Sequence, residues 1–339
     1  MLILSNCLTK VVDEGCIKVA NSLVKRLKNN SDNHFVVTYE RESALSDEHL
    51  SLNKFLISKR LFSLIKERGE RVLYLPFPAK PISTAIRVFI LSLFAKCGMD
   101  VLITMQNECD FVSKLLFKLS GANFVFLSAP AAARFSKHVG EKRVKHLKCG
   151  VDTKRFLPVD QDKARALKEK YGLDSDRAVV LHVGHLNRGR NVAELLKLAD
   201  EFTVLLVTST LTKSEQDKEL RASLEAANIK IIDDYIPDIE EIYQLSDVYF
   251  FPVVEYGKCI DVPLSCLEAA ACNKCVVTTD YGEMKEFCGK DGFYFIDSFE
   301  KDDLKTLVKK AISSKAQTRS AVLEYDFDNA ALYFGLDGE

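Results

Sequence analysis

The 339-residue sequence has no apolar run long enough to cross a membrane. A transmembrane helix needs roughly 20 consecutive, mostly apolar residues, and every apolar stretch here ends well before that length. The first residues, Met1–Asn6, also lack the basic start and the long apolar core of a secretory signal peptide. Together these absences predict a cytoplasmic protein.

The sequence also lacks two common signatures of cofactor and metal sites. It contains no GxGxxG turn, which argues against an NAD-linked dehydrogenase. Its ten cysteines follow no repeated spacing, and the one CxxC pair, Cys272 and Cys275, spans a helix end and a strand start without a second pair. Cysteines in apolar segments fit reduced thiols in the cytosol, so no disulfide, metal or cofactor is predicted.

Charge is balanced overall but unevenly distributed along the chain. The formal net charge is −1, yet residues 1–160 hold 25 lysines and arginines against 15 aspartates and glutamates. The remaining residues hold 22 basic against 33 acidic side chains. A basic half favours an anionic partner, such as a phospholipid surface or an acidic acceptor; the alternative is an ordinary solvated face. No nucleic-acid partner is predicted.

Short apolar runs alternate with amphipathic segments along the whole chain. This alternation predicts strands and helices of a parallel, doubly wound α/β sheet. The length suits two domains of about 150–170 residues. Before residue 150, the predicted strands and helices are one βα unit fewer than a complete doubly wound domain would have. One predicted helix there, Pro81–Lys96, is apolar nearly all round: it is either core or a surface that meets lipid, flanked by Lys80, Arg87 and Lys96.

The most informative stretch runs from Pro252 to Phe287. The run Val248–Phe251 reads as a buried strand, followed by a loop, a helix over Pro263–Ala271 and a second strand from Cys275. Asp261 is predicted to cap this helix. Glu268 is the only charged residue of this helix. It therefore lies either on a solvated face or in a buried site that supplies hydrogen-bond donors to its carboxylate. In open α/β sheets, ligands bind at the edge where such a loop lies.

A second loop, Gly184–Asn191, joins the strand Arg177–Val183 to a helix predicted over Val192–Ala199. Small and basic residues before a helix N-terminus suit a diphosphate, because backbone amides and arginines both stabilise the anion. The alternative is a solvated basic turn.

These two segments, together with the segment Lys148–Pro158, resemble the corresponding parts of retaining glycosyltransferases of family 4. The resemblance implies the GT-B fold, with two Rossmann-like doubly wound parallel-sheet domains facing across a cleft. It places an N-terminal acceptor-side domain at 1–156, a C-terminal donor domain at 157–322 and a crossover helix at about 323–339.

The resemblance also implies an activity. The protein would transfer a sugar from a UDP- or GDP-sugar, with retention and without a metal ion, to an acceptor hydroxyl of a lipid-linked, polysaccharide or other glycoconjugate substrate. The nucleotide sugar is a substrate, so no cofactor is expected. Peripheral contact with an anionic membrane is compatible with the basic half. The rival interpretation is a catalytically inactive relative that binds a nucleotide or a partner.

The same resemblance assigns the site residues. Arg190 and Glu268 are the catalytic candidates, with Glu268 at the position that takes the ribose hydroxyls. Ile260 stands where the family usually has a second glutamate; Asp261, one residue later, is either its substitute or only the cap of the following helix. The remaining donor-site candidates are Gly184, His185, Asn187, Arg188, Tyr235, Ile236, Lys258 and Val262. The candidates in the N-terminal domain are Gly15, Gln106, Asn107 and Glu108.

Overall fold

The structure is a computed structural model that describes residues 1–12, 14–105, 108–209, 216–314 and 316–335. The chain forms two compact units. The first contains Met1–Cys149, the short segment Ile260–Val262 and the chain from Phe327 onward. The second contains Gly150–Cys259 and Pro263–Asp326.

The first unit is built on a seven-stranded parallel sheet. In chain order its strands are β1 (Leu2–Ser5), β2 (Phe35–Tyr39), β3 (Glu48–Leu50), β4 (Val72–Leu75), β5 (Met99–Ile103), β6 (Asn123–Phe126) and β7 (Val144–His146). Their spatial order is β3-β2-β1-β4-β5-β6-β7, so the winding direction reverses between β1 and β4. The register places Leu4 opposite Val37 on one side and Tyr74 on the other. Both faces of the central strands are buried, as expected for a parallel sheet covered by helices.

Six helices of the described residues belong to this unit. They are α1 (Gly15–Asn30), α2 (Lys59–Arg68), α3 (Pro81–Ser92), α4 (Phe111–Leu119), α5 (Ala129–Val139) and α11 (Phe327–Gly335). Local sequence explains their ends: Ser58 and Asp110 cap α2 and α4 by accepting backbone N–H bonds. Gly69 ends α2 in the left-handed conformation, at φ 58°. The helix α11 packs on α1, where Asp328 pairs with Arg26 at 3.1 Å.

The second unit holds a six-stranded parallel sheet of the same design. Its strands are β8 (Val179–Val183), β9 (Thr203–Val207), β10 (Lys230–Ile232), β11 (Val248–Phe251), β12 (Cys275–Thr278) and β13 (Phe293–Phe295). The order β10-β9-β8-β11-β12-β13 reverses between β8 and β11. The helices are α6 (Gln161–Lys170), α7 (Lys218–Ala226), α8 (Ile239–Leu245), α9 (Leu264–Ala271) and α10 (Leu304–Ser313). The prediction of two parallel, doubly wound sheets is therefore confirmed.

The chain enters the second unit at Gly150 and leaves it after Asp326, and these two segments are hydrogen-bonded to each other. The N–H groups of Gly150 and Val151 both donate to Tyr325 O, at 2.8 and 3.1 Å. Thr153 donates to the Asp326 carboxylate through its backbone N–H and its hydroxyl, at 2.8 and 2.6 Å. The entering and leaving segments are thus fixed together at the boundary of the unit.

Several sequence predictions need correction. The first sheet is not one unit short, because β3, β7 and α5 supply elements that the apolar pattern did not reveal. The short strands β3 and β7 carry polar residues and only half-buried side chains, so they lack the apolar run of a central strand. After β8 the chain forms two 3₁₀ segments, Arg188–Arg190 and Val192–Lys197, instead of the predicted α-helix. A helix dipole therefore contributes little at this loop.

The helix α3 resolves one open alternative. It buries Thr84, Ala85, Val88 and Leu91, and the Nε–H of its Arg87 donates to Lys54 O at 2.8 Å. One side of α3 is therefore core. Among the described residues, no helix is both long enough and apolar enough to traverse a bilayer.

Candidate functional site

The candidate donor site lies at the point where the second sheet reverses direction. The strands β8 and β11 are neighbours there, and the chain leaves them by the two loops that the sequence singled out. In open α/β sheets, loops at such a switch point line the ligand crevice. The tertiary structure thus brings the basic loop Gly184–Asn191 and the start of the Pro252–Phe287 stretch to one sheet edge.

Arg190 is buried at this edge with unused hydrogen-bonding capacity. Its side chain is only 9% exposed, and within the described part of the chain its Nε has no hydrogen-bond partner. Asn187 shapes the turn by accepting the Arg190 backbone N–H at 3.1 Å, and Asn191 takes a left-handed φ of 57°. A buried guanidinium N–H without a partner is costly, which indicates a position built to receive an anion.

Gly184 is needed here because of the side chains that approach it. A Cβ at this position would lie 2.9 Å from His182 Nε2 and 3.1 Å from Arg190 Nη1. Both distances are shorter than normal contacts, so any larger residue would push Arg190 or His182 away. Gly184 therefore keeps the space beside the guanidinium open.

His182 is a buried polar residue that the sequence reasoning missed. It lies in the middle of β8, fully buried, with Nδ1 at 2.8 Å from Phe250 O. Since a carbonyl only accepts, the proton lies on Nδ1 and Nε2 is an acceptor. Burial, opposed by that hydrogen bond and reinforced by the charge of Arg190, lowers the pKa of His182 to about 4. A histidine inside an otherwise apolar strand was the available signal.

Arg188 occupies a different environment from Arg190. Its side chain is 67% exposed and is held by two carboxylates, Asp217 at 2.7 Å and Glu219 at 3.1 Å. These bonds raise the pKa of Arg188 and neutralise its charge locally.

Lys258 lies over Gly189, where a Cβ would be 2.7 Å from the lysine stem, and its ammonium is 3.4 Å from Glu255. His185 is half-buried in the same loop.

Glu268 is buried on α9, only 3% exposed, so the solvated-face interpretation is wrong. The Tyr243 hydroxyl on α8 donates to Glu268 Oε2 at 2.6 Å. Burial, and then the Glu268 charge, raise the pKa of Tyr243 well above its ordinary value, so the phenol keeps its proton and remains a donor. Glu268 is thus oriented by a specific partner inside an apolar shell.

The predicted cap at Asp261 is wrong. The helix α9 begins at Leu264 after Pro263, and no side chain caps it. Asp261 is buried within the first unit instead, where its backbone N–H donates to Thr104 O at 3.0 Å. Its neighbours Ile260 and Val262 are buried as well.

The remaining predicted site residues lie in several different parts of the chain. Gly15 begins α1, and a Cβ there would lie 2.8 Å from the Ile260 side chain, so this glycine permits a close approach. Glu108 is exposed, and Tyr235 and Ile236 follow β10 with Tyr235 about half exposed. Gln106 and Asn107 lie outside the described residues. Among the described side chains, no group of three histidine, cysteine, aspartate or glutamate residues is arranged to hold a metal ion.

Comparison with known proteins gives a family match in the second unit and structural matches over the whole chain. Residues 163–326, just under half of the sequence, match the family "Glycosyl transferases group 1". A glycosyltransferase from Rickettsia africae has a similar structure at 16% identity, with a TM-score of 0.77 over 99% of this chain and 97% of that one. HepE from Anabaena, solved in complex with UDP, matches at 14% identity and TM-score 0.76 over 100% of this chain and 99% of its own. The chain has the GT-B fold.

Two curated proteins are similar in sequence to part of this GT-B chain. One is a GDP-mannose-dependent α-(1-6)-phosphatidylinositol monomannoside mannosyltransferase from Mycolicibacterium smegmatis, 28% identical over 54% of this chain and 51% of its own length. The other is the putative glycosyltransferase EpsD from Bacillus subtilis, 26% identical over 42% of this chain and 39% of its own length. The matches therefore span about half or less of each relative.

Proposed function

We propose that this protein is a retaining glycosyltransferase that transfers a sugar from a nucleotide-sugar donor to an acceptor hydroxyl. The observation that carries the proposal is Arg190, a buried guanidinium with an unpartnered Nε, beside Gly184 at the switch point of the second sheet. The match of residues 163–326 to the group 1 glycosyltransferases covers the elements that build this position and supports the same conclusion.

The proposed chemistry makes the diphosphate the leaving group. Negative charge grows on its oxygens as the bond to the sugar breaks, so a fixed cation beside them stabilises the transition state more than the bound donor. Arg190 is held in place before the donor arrives, because its backbone is fixed by Asn187 and its side chain is buried. It is the group that we assign to the phosphates, together with Lys258, which follows β11 and lies over Gly189 of this loop.

Glu268 is assigned to the ribose hydroxyls of the donor. A carboxylate can accept hydrogen bonds from two hydroxyl groups, and the Tyr243 hydroxyl holds one of its oxygens in a defined direction. The burial of Glu268 strengthens such hydrogen bonds, since little water competes for the carboxylate. Tyr243 is then a positioning residue that acts through Glu268.

The relatives named above divide on the donor, since one is described as GDP-mannose-dependent and one was solved with UDP. The donor is therefore proposed only as a UDP- or GDP-sugar. The mannosyltransferase acts on a phosphatidylinositol mannoside, which supports a lipid-linked acceptor as the first class to test. Retention and independence from a divalent metal ion are part of the same proposal.

A panel of UDP- and GDP-sugars tests the proposal in two stages. Thermal shift measures binding, because a ligand that binds only the native state raises its melting temperature. Release of nucleoside diphosphate from the donors that bind then measures turnover. Binding with turnover supports the enzyme, binding without turnover under any acceptor supports the inactive relative, and no binding of any donor contradicts the proposed site.

A further inference from the structure

The helix α4 exposes large apolar side chains along one side. Phe111 is 80% exposed, Val112 52%, Leu115 44% and Leu119 60%. Residues 111, 115 and 119 are four apart, and position 112 lies beside them on the helix surface, so the four side chains form one continuous stripe. On the opposite side, Ser113 and Phe117 are buried. We call the four exposed residues the α4 stripe.

A stripe of this kind is unusual on a soluble surface. Single exposed leucines are common, but four large apolar side chains on one nine-residue helix form a patch that normally marks a contact with another apolar phase. The adjacent helix α3 packs against α4, and Leu93 just beyond its end is 61% exposed. The apolar surface thus belongs to α4 and the end of α3, and not to the whole of Pro81–Lys96.

Positive charge borders the stripe. Lys114 and Lys118 lie on the same helix, one turn apart, on the side of the stripe next to Phe111. Within the described residues, neither lysine has an ion-pair partner. Lys137 adds positive charge in the last turn of the neighbouring helix α5, beside His138, whose pKa is lowered by burial and then by the charges of Lys114 and Lys137. Of the two acidic residues before the helix, Asp110 is occupied as the cap, bonded to Ser113 N–H at 2.9 Å, and Glu108 is exposed.

We propose that the α4 stripe and its lysines dock the protein on the surface of an anionic phospholipid bilayer. The apolar side chains would enter the boundary between headgroups and acyl chains, while the lysines contact the anionic headgroups, as in interfacial amphipathic helices. The excess of basic side chains in residues 1–160 attracts the same surface at longer range. This inference does not depend on the proposed sugar transfer.

Vesicle flotation with the full chain tests the docking directly. Vesicles of phosphatidylcholine alone are compared with vesicles that also contain phosphatidylglycerol, at low and at high salt. We expect binding to the anionic vesicles, weaker binding at high salt because the charges are screened, and little binding to the neutral ones. Equal binding to both compositions, or binding to neither, would overturn the proposal.

Two pairs of variants separate the contributions. Phe111→Ser with Leu115→Ser should weaken binding to anionic vesicles by about tenfold or more, whereas Leu332→Ser, at a leucine of α11 that is 54% exposed, should not change it. Lys114→Glu with Lys118→Glu should weaken binding by at least about fivefold for each lost lysine, and more than the exposed Lys145→Glu. Loss of binding by the control variants to the same extent would overturn the assignment to α4.

Two further readouts keep the interpretation specific. The variants change side chains that are exposed or, for Lys114, half-buried, so the melting temperature should stay close to the wild-type value. Any variant that unfolds is excluded by that measurement. The mass in solution is measured by light scattering. If the protein is a dimer and the Phe111→Ser, Leu115→Ser variant is a monomer, the stripe is a protein interface and the membrane proposal is wrong.

Discussion

Two arginines only two positions apart allow a direct test of the candidate donor site. Arg190 is buried with an unpartnered Nε, while Arg188 is exposed and already bound by Asp217 and Glu219. We predict that Arg190→Ala weakens binding of the nucleoside diphosphate strongly and that Arg188→Ala weakens it by less than about threefold. The two arginines differ in burial and in ion pairing, so the difference in affinity tests the tertiary structure of this loop.

The magnitude follows from the hydrogen bonds that Arg190 is free to make. A bond from a charged donor contributes about 1.5–3 kcal/mol. One bond at the lower end, or two such bonds, correspond to a rise in Kd between about 10-fold and 150-fold. Arg190→Lys should lie between the wild type and Arg190→Ala, because an ammonium keeps the charge but cannot present two parallel donors.

Isothermal titration with UDP and GDP measures these Kd values, and the melting temperature without ligand is the control. Removing a buried, unpartnered guanidinium nitrogen should not lower the stability of the unliganded protein. The reasoning is refuted if Arg188→Ala costs as much affinity as Arg190→Ala. It is also refuted if Arg190→Ala lowers the unliganded melting temperature while the affinity of the folded protein is unchanged, since the residue would then be structural.

Three further predictions concern the same unit. Glu268→Gln, which keeps an acceptor for Tyr243 but removes the charge, should raise the Kd for the nucleoside diphosphate about tenfold with little change in melting temperature; unchanged affinity would exclude the ribose assignment. Sugar transfer should continue in EDTA, and complete loss restored by manganese would contradict metal independence. Because the folded-state pKa of His182 is lowered to about 4 from an ordinary value near 6.5, the unfolded chain takes up the proton first. The contribution of His182 to the free energy of unfolding should therefore be constant above about pH 6.5 and fall between about pH 6.5 and 4, by about 2 kcal/mol at pH 5. A His182→Gln variant that retains this part of the acid sensitivity in denaturant titrations would refute the assignment.

The sequence alone determined the fold class and the location of the important loops. Apolar runs of four or five residues separated by amphipathic segments identify buried parallel strands, because both faces of such strands must be covered. This signal placed β8, β11 and β12 and therefore the loops that follow β8 and β11. It failed for β3 and β7, which lie at the two ends of the first sheet and need no continuous apolar run. It also failed after β8, where 3₁₀ turns form in place of an α-helix.

Only the tertiary structure decided which side chains have unsatisfied hydrogen-bonding groups and which are already paired. Arg188 and Arg190 are the same residue type in one short loop, and the ion pairs of Arg188 are made by Asp217 and Glu219, which lie about thirty residues further along the chain. His182 and Gly184 became relevant for the same reason, since their proximity to Arg190 depends on how the loop folds back over β8. Likewise, apolar residues occur on more than one side of α4, and packing against α3 and α5 determines that Phe111 and Leu119 are among those left exposed. Burial and pairing depend on contacts between residues far apart in the chain, and local residue patterns do not encode those contacts.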